Sequence, residues 1–209
     1  MTTGFDDRFR AQLLDLFRWR RDVRRFQTVP LAEGVLERLI ETACLAPSVG
    51  LSEPWCFVTV DDPARRRAVR DCFVRANAEA QVAMPDEDAA AYGRLKLAGL
   101  DDAPCQFAVF VARQPSQGRG LGRATMPETL AYSAVMAVHT LWLAARAQGI
   151  GLGWVSIVDP QRVAEVLEMA PGHDLIGYFC LGFAVVESDV PELQLLGWET
   201  RRSATILRR

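Results

Sequence analysis

Lysine is nearly absent from this chain: Lys96 is the only one, and arginine carries the rest of the positive charge. A codon bias toward arginine is the plainest source. Histidine is also scarce, with only His139 and His173, neither close to a cysteine or acidic ligand set, and no Cys-x-x-Cys motif occurs. That composition argues against a structural or catalytic zinc site. The 24 basic and 26 acidic residues give a formal net charge of −2, without the cationic excess of a general nucleic-acid binder. Cys44, Cys56, Cys72, Cys105 and Cys180 are odd in number, widely spaced and mostly set in apolar sequence, so they read as reduced core residues of a cytoplasmic protein. The opening stretch from Met1 to Arg10 is polar and charged, unlike a secretory signal. No uncharged run reaches the ~20 apolar residues of a membrane span. The best candidate, Thr129 to Ala145, contains Thr129, Ser133, His139 and Thr140, and reads as a central helix buried on all sides, with His139 a packed histidine.

Half of the 209 residues are hydrophobic, enough for one globular unit spanning 1–209. Phe9, Leu13, Leu16 and Phe17 mark a helical stripe within Phe5 to Arg18. Leu31 to Ala46 is predicted as a second helix, ended by Pro47. Trp55 to Val60 reads as a strand, followed by a helix from Pro63 whose Arg65, Arg66, Arg67 and Arg70 form a solvated face. Phe107 to Ala112 is a second strand, and a long helix follows from Pro127 to Gln148, left at Gly149. Gly151 to Ile157 and Leu175 to Val186 supply two more strands, separated by an Asp159-Pro160 cap and the helix Gln161 to Met169. Two helices precede any strand, which departs from a Rossmann opening. Residues 190–209 carry little core character and read as an arm.

The stretch richest in chemistry is Arg20-Arg21-Asp22-Val23-Arg24-Arg25-Phe26, which sets one carboxylate among four guanidinium groups. Guanidinium forks match phosphate oxygens, and an aspartate among cations is expected to stay ionised, with its pKa lowered. A solvated basic helix end with an intrahelical ion pair is the other reading of the same residues. Ala46-Pro47-Ser48-Val49-Gly50-Leu51-Ser52-Glu53-Pro54-Trp55 is a loop fixed by prolines, with residues small enough for close ligand approach. Gly118-Arg119-Gly120-Leu121-Gly122 lacks the Lys-Ser or Lys-Thr of a phosphate loop and reads as a flexible connection.

In this order, the arginine run, the Pro-Ser loop and the Gly153-Trp154-Val155-Ser156 strand resemble the nitroreductase-like flavoprotein superfamily over nearly the full length. The resemblance implies an α+β nitroreductase-like fold: a central, mostly antiparallel sheet flanked by helices, in an intertwined homodimer with a C-terminal arm and FMN at the interface. It implies that Arg20, Arg21 and Arg24 grip the phosphate and ribityl chain, with Asp22 and Val23 between them. Pro47, Ser48 and Gly50 would lie against the flavin, and Gly153 to Ser156 would present backbone beside its N5. Ser52 and Glu53 stand where the broader family often carries Asn and Gln.

Asp22 inside the run, Ser156 after Gly-Trp-Val, Ala46 to Gly50, and Arg94-Leu95-Lys96-Leu97-Ala98-Gly99-Leu100 resemble the 5,6-dimethylbenzimidazole synthase branch. That branch consumes reduced FMN with O2 as co-substrate, giving 5,6-dimethylbenzimidazole, the lower ligand of cobalamin, and erythrose 4-phosphate; flavin is substrate rather than resident cofactor, and a separate NAD(P)H flavin reductase supplies it. Asp22 would then act as general base near the ribityl chain and Ser156 as a hydrogen-bonding group near N5. Lys96 or Arg201 would complete the phosphate or carbonyl contacts, a solvated Lys96 being the alternative, and Gln81 to Tyr92 would form a lid. The rival readings are an FMN-dependent NAD(P)H nitro- or quinone reductase and a flavin-binding module without turnover. None of these readings involves a metal, nucleic acid or membrane.

Overall fold

The computed structural model describes residues 4–85, 92 and 98–209. Its centre is set by two runs that are apolar nearly throughout, Cys105–Ala112 (β2) and His173–Gly182 (β4), the pattern of strands covered on both faces. Trp55–Thr59 (β1) and Gly151–Val155 (β3) flank them in the order β1-β2-β4-β3. All three pairings are antiparallel. The β2–β4 register shifts after Val109, which pairs with Gly177 while Phe110 pairs with Leu175, leaving Ile176 as a bulge.

Alternation along the strands builds two cores. Phe107, Val109, Leu152, Phe179 and Leu181 meet Val35–Ala43 (α2) and Thr129–Ala147 (α5) on one face. On the other, Ala108, Phe110, Val155, Tyr178 and Cys180 meet Pro63–Val82 (α3), Gly99–Asp102 (α4) and Pro160–Val166 (α6). The result is the expected α+β sandwich. Tyr178 Oη donates to Gln106 Oε1 at 2.8 Å, and Gln106 Nε2 donates to the Leu100 carbonyl at 3.1 Å, so this buried polar pair is satisfied.

Local chemistry explains the helix starts. Asp62 and Asp159 each precede a proline, and their carboxylates accept from Ala64 N–H at 2.8 Å and Gln161 N–H at 2.9 Å. Asp6 caps Asp7–Trp19 (α1) by accepting from Phe9 N–H at 2.8 Å. The helix expected from Leu31 begins only at Val35, because Gly34 takes φ +74° and turns the chain beforehand.

Other expectations need correction. α5 is not buried on all sides: Tyr132, Val135, Met136 and His139 are exposed, leaving an apolar face uncovered within one chain. The stripe of α1 is uncovered too, with no residue of that helix fully buried. The arginines of α3 are tethered rather than merely solvated. Arg66 Nε donates to the Val60 carbonyl at 2.6 Å, Arg65 Nη1 to the Val166 carbonyl at 3.0 Å, and Arg70 pairs with Asp101 at 2.5 Å. The glycine segment is packed: a Cβ at Gly118 would meet Ser52 Cβ at 2.8 Å. Cys44 is exposed rather than a core residue. Among the described residues no helix is long and apolar enough to cross a membrane.

Phe107 is fully buried and its ring stacks on Phe179 with centroids 5.2 Å apart. Phe107→Ala is expected to cost about 3–5 kcal/mol of stability through the cavity it leaves. Urea denaturation checks this, and a loss below about 1 kcal/mol would place the core elsewhere.

Candidate active site

The arginine run leaves α1 at Arg20, where the backbone turns extended, and lies along the free edge of β3. Val23 N–H donates to the Leu152 carbonyl at 3.0 Å, and Asp22 pairs with Leu152 as a parallel bridge. Glycine on β3 makes this approach possible. A Cβ at Gly153 would lie 2.2 Å from the Val23 carbonyl oxygen, and one at Gly151 would lie 2.7 Å from Val23 Cγ2. Phe26 anchors the far end at 2% exposure, its ring in a slot where a Cβ on Gly99 would come within 2.9 Å of it. The segment therefore docks by backbone hydrogen bonds at one end and a buried ring at the other.

This docking fixes Asp22. Its Oδ1 accepts from the Trp154 backbone N–H at 2.8 Å, and its Oδ2 lies 3.8 Å from Arg24 Nε. Burial pushes the carboxyl above the ordinary aspartate range, outweighing the opposing pull of the Trp154 N–H, Arg24 and Arg20, and Glu192 adds to the rise. The expectation that the arginines lower it is corrected: their pull is real but smaller than desolvation at the sheet edge. Some 40% of the side chain still reaches solvent, so the group is accessible to a ligand.

Arg20, Arg21, Asp22, Arg24, Pro191, Glu192, Leu193 and Arg201 line a cleft of about 240 Å³. Four guanidinium groups against two carboxylates leave a net formal charge of +2, the complement of a phosphate dianion. Burial draws the pKa of Arg20 and Arg21 down, and Arg201 adds to this in both. Arg21 Nη2 donates to the Asp189 carbonyl at 2.8 Å, whereas its buried Nε has no hydrogen-bond partner among the described residues. An unpaired, buried cationic donor beside such a cleft is suited to an anionic oxygen.

The structure thus brings together Arg20, Arg21, Asp22, Val23, Arg24, Gly153, Trp154 and Arg201. Val155 ends β3 with its side chain in the opposite core, and Ser156 follows it, exposed. Pro47, Ser48 and Gly50 lie elsewhere. Val49 N–H donates to Ser133 Oγ at 3.0 Å near the start of α5, whereas the arginine run meets that helix at Trp142. Nine residues of helix separate the two contacts by about 14 Å. Ser48 Oγ accepts from Glu53 N–H at 3.1 Å, and Gly50, with φ +58°, lines a separate open cleft with the 117–122 loop. Lys96 lies outside the described residues, as does half of the expected Gln81 to Tyr92 lid.

Sequence reasoning missed Glu192 and Trp142. Glu192 opens a short helix, Glu192–Leu195 (α7), after Pro191, and an acid in a first turn was the available signal. Trp142 carries the only indole of the uncharged helix, and its N–H needs a partner when buried.

The geometry and the sequence agree on a class. The chain matches the Nitroreductase family over residues 17–183 and belongs to it. Within that family it falls in the 5,6-dimethylbenzimidazole synthase branch. It is 53% identical to the 5,6-dimethylbenzimidazole synthase of Rhodospirillum rubrum over the whole of both chains. It is 47% identical to a 5,6-dimethylbenzimidazole synthase of Rhodobacter capsulatus, over 94% of this chain and 95% of that one. Among solved structures it resembles iodotyrosine deiodinase bound to FMN and 3-iodo-L-tyrosine, with a TM-score of 0.74 at 20% identity, covering 94% of this chain and 97% of the other. At that identity the likeness is one of fold.

A raised carboxyl pKa sets the sign of a stability test. The folded chain holds the Asp22 proton more tightly than the unfolded one, so Asp22 favours folding below the unfolded value of about 3.9, and this is lost as pH rises through the folded value. Asp22→Asn is therefore expected to stabilise the ligand-free protein at pH 7, with the gain shrinking toward pH 3. Urea midpoints across that range decide it; a variant less stable than wild type at pH 7 would contradict the burial of Asp22.

Proposed function

We propose that this chain makes 5,6-dimethylbenzimidazole, the lower ligand of cobalamin, by fragmenting reduced FMN with molecular oxygen and releasing erythrose 4-phosphate. The observation that carries the reading is the placement of Asp22, fixed by the Trp154 N–H at 2.8 Å inside a cleft of net charge +2. The 5,6-dimethylbenzimidazole synthases at 53% and 47% identity support it.

The residues present fit FMN. Its phosphate matches the charge of the cleft formed by Arg20, Arg21, Arg24 and Arg201, and the unpaired Arg21 Nε offers a further donor. When bound and reduced, the flavin supplies both the electrons for O2 and the carbon skeleton of the product. Asp22 would accept a proton from the ribityl carbon attached to the ring. Its raised pKa makes it a stronger base than an aspartate governed by arginines alone, and its bond to Trp154 fixes its aim. The backbone of Gly153, Trp154 and Val155 would face the ring, and Ser156 would hold or donate a proton near N5.

A second copy completes the site. Pro47, Ser48 and Gly50 are too far from the arginine cleft of their own chain to close it, and the exposed apolar faces of α1 and α5 provide the surface for pairing. In this homodimer, residues 1–209 act as one unit with 190–209 as its arm, and a separate NAD(P)H flavin reductase provides the reduced flavin.

Anaerobically reduced FMN mixed with the protein and then exposed to air is expected to yield 5,6-dimethylbenzimidazole by mass spectrometry. Asp22→Asn should lower the yield about 100-fold or more, in the range of a lost general base. Clean reoxidation to intact FMN in both proteins would overturn the proposal in favour of an ordinary flavin reductase.

A further inference from the structure

We infer that Trp142 is a positioning residue for Asp22, an inference that rests on the proposed role of Asp22 as proton acceptor. Three hydrogen bonds hold the backbone and side chain around Asp22, one at each successive residue. Trp142 Nε1 donates to the Arg21 carbonyl at 3.0 Å, the Trp154 N–H donates to Asp22 Oδ1 at 2.8 Å, and Val23 N–H donates to the Leu152 carbonyl at 3.0 Å. The second and third draw on main-chain groups of β3, the Trp154 N–H and the Leu152 carbonyl. The first comes from α5, and it ties the main-chain carbonyl of the residue before Asp22 to a separate element of the fold.

The indole does more than donate. Its ring lies beneath Arg20, whose guanidinium carbon is 4.9 Å from the ring centroid, so a cation of the cleft rests on the same group that holds the Arg21 carbonyl. Trp142 is 8% exposed and packs at a tilt against Trp154, with centroids 6.4 Å apart. Trp154 in turn lies over Gly177, where a Cβ would come 2.1 Å from its Nε1. The two tryptophans therefore both brace Asp22: Trp142 through the preceding carbonyl, Trp154 through its own amide.

Trp142→Phe keeps an aromatic ring under Arg20 and removes the N–H, leaving the Arg21 carbonyl without that partner. Two measurements on this variant test the inference. Amide hydrogen exchange, followed by NMR on the flavin-free protein, is expected to quicken at Val23 and Trp154 while Val109, in the middle of β2, keeps its wild-type rate. In the dimethylbenzimidazole assay kcat should fall about 10- to 100-fold, the scale of a displaced catalytic group, with reduced-FMN affinity changed by no more than about threefold. Unchanged exchange at Val23 and Trp154, or full retention of kcat, would overturn the inference. Faster exchange at Val109 as well would do the same, by making Trp142 a general packing residue. Should wild type make no dimethylbenzimidazole, the proposed function fails, and the exchange pattern alone decides whether Trp142 holds this segment.

Discussion

The Val23 carbonyl oxygen occupies space that a Cβ on Gly153 would fill, and the arrangement of the cleft follows from that contact. A glycine inside a strand weakens it by roughly 0.5–1 kcal/mol relative to alanine. On β3 the loss is offset, because the missing side chains at Gly151 and Gly153 let the arginine segment press onto the strand and satisfy its edge. Backbone pairing at Leu152 then carries Asp22 to the Trp154 amide, and the buried ring of Phe26 prevents the segment from peeling away. Without the glycines, four arginines and an aspartate would remain a charged turn in solvent.

The electrostatics of the cleft arise from the same contact. Cations nearby favour an ionised Asp22, but the sheet edge removes more hydration from the carboxylate than they restore. Arg20 and Arg21 are themselves partly desolvated, and the charge of Arg201 adds to the lowering of both their pKa values. The cleft thus sets four guanidinium groups beside a carboxyl whose pKa is raised by burial.

Much of this was legible in the sequence and some could not be. The strands were clear because Cys105–Ala112 and the core of His173–Gly182 are apolar on both faces, and the Asp-Pro pairs at 62–63 and 159–160 marked helix starts by local chemistry. The arginine run announced a cluster of positive charge through residue type alone, and the structure sets Arg20, Arg21 and Arg24 around one cleft. The shift in Asp22 was hidden, since its cause is a strand 132 residues away. For the same reason the tethering of Arg65 and Arg66 was invisible: their acceptors are carbonyls, which no side-chain pattern reveals. His139 was misjudged because an uncharged helix reads as buried all round, when one of its faces is open within the single chain. Gly34 shortened α2 by adopting a left-handed turn where the hydrophobic stripe alone suggested continuity.

α5 touches the Val49 amide through Ser133 and the Arg21 carbonyl through Trp142. Because an α-helix advances about 100° per residue, these two contacts are locked in phase as well as in distance. A single residue inserted between positions 133 and 142 would swing one hook about a quarter turn away from its partner while leaving every apolar residue apolar and the helix intact. The spacing of these two contacts therefore constrains the length of the stretch, separately from the packing that constrains Ala134, Ala137, Val138 and Leu141.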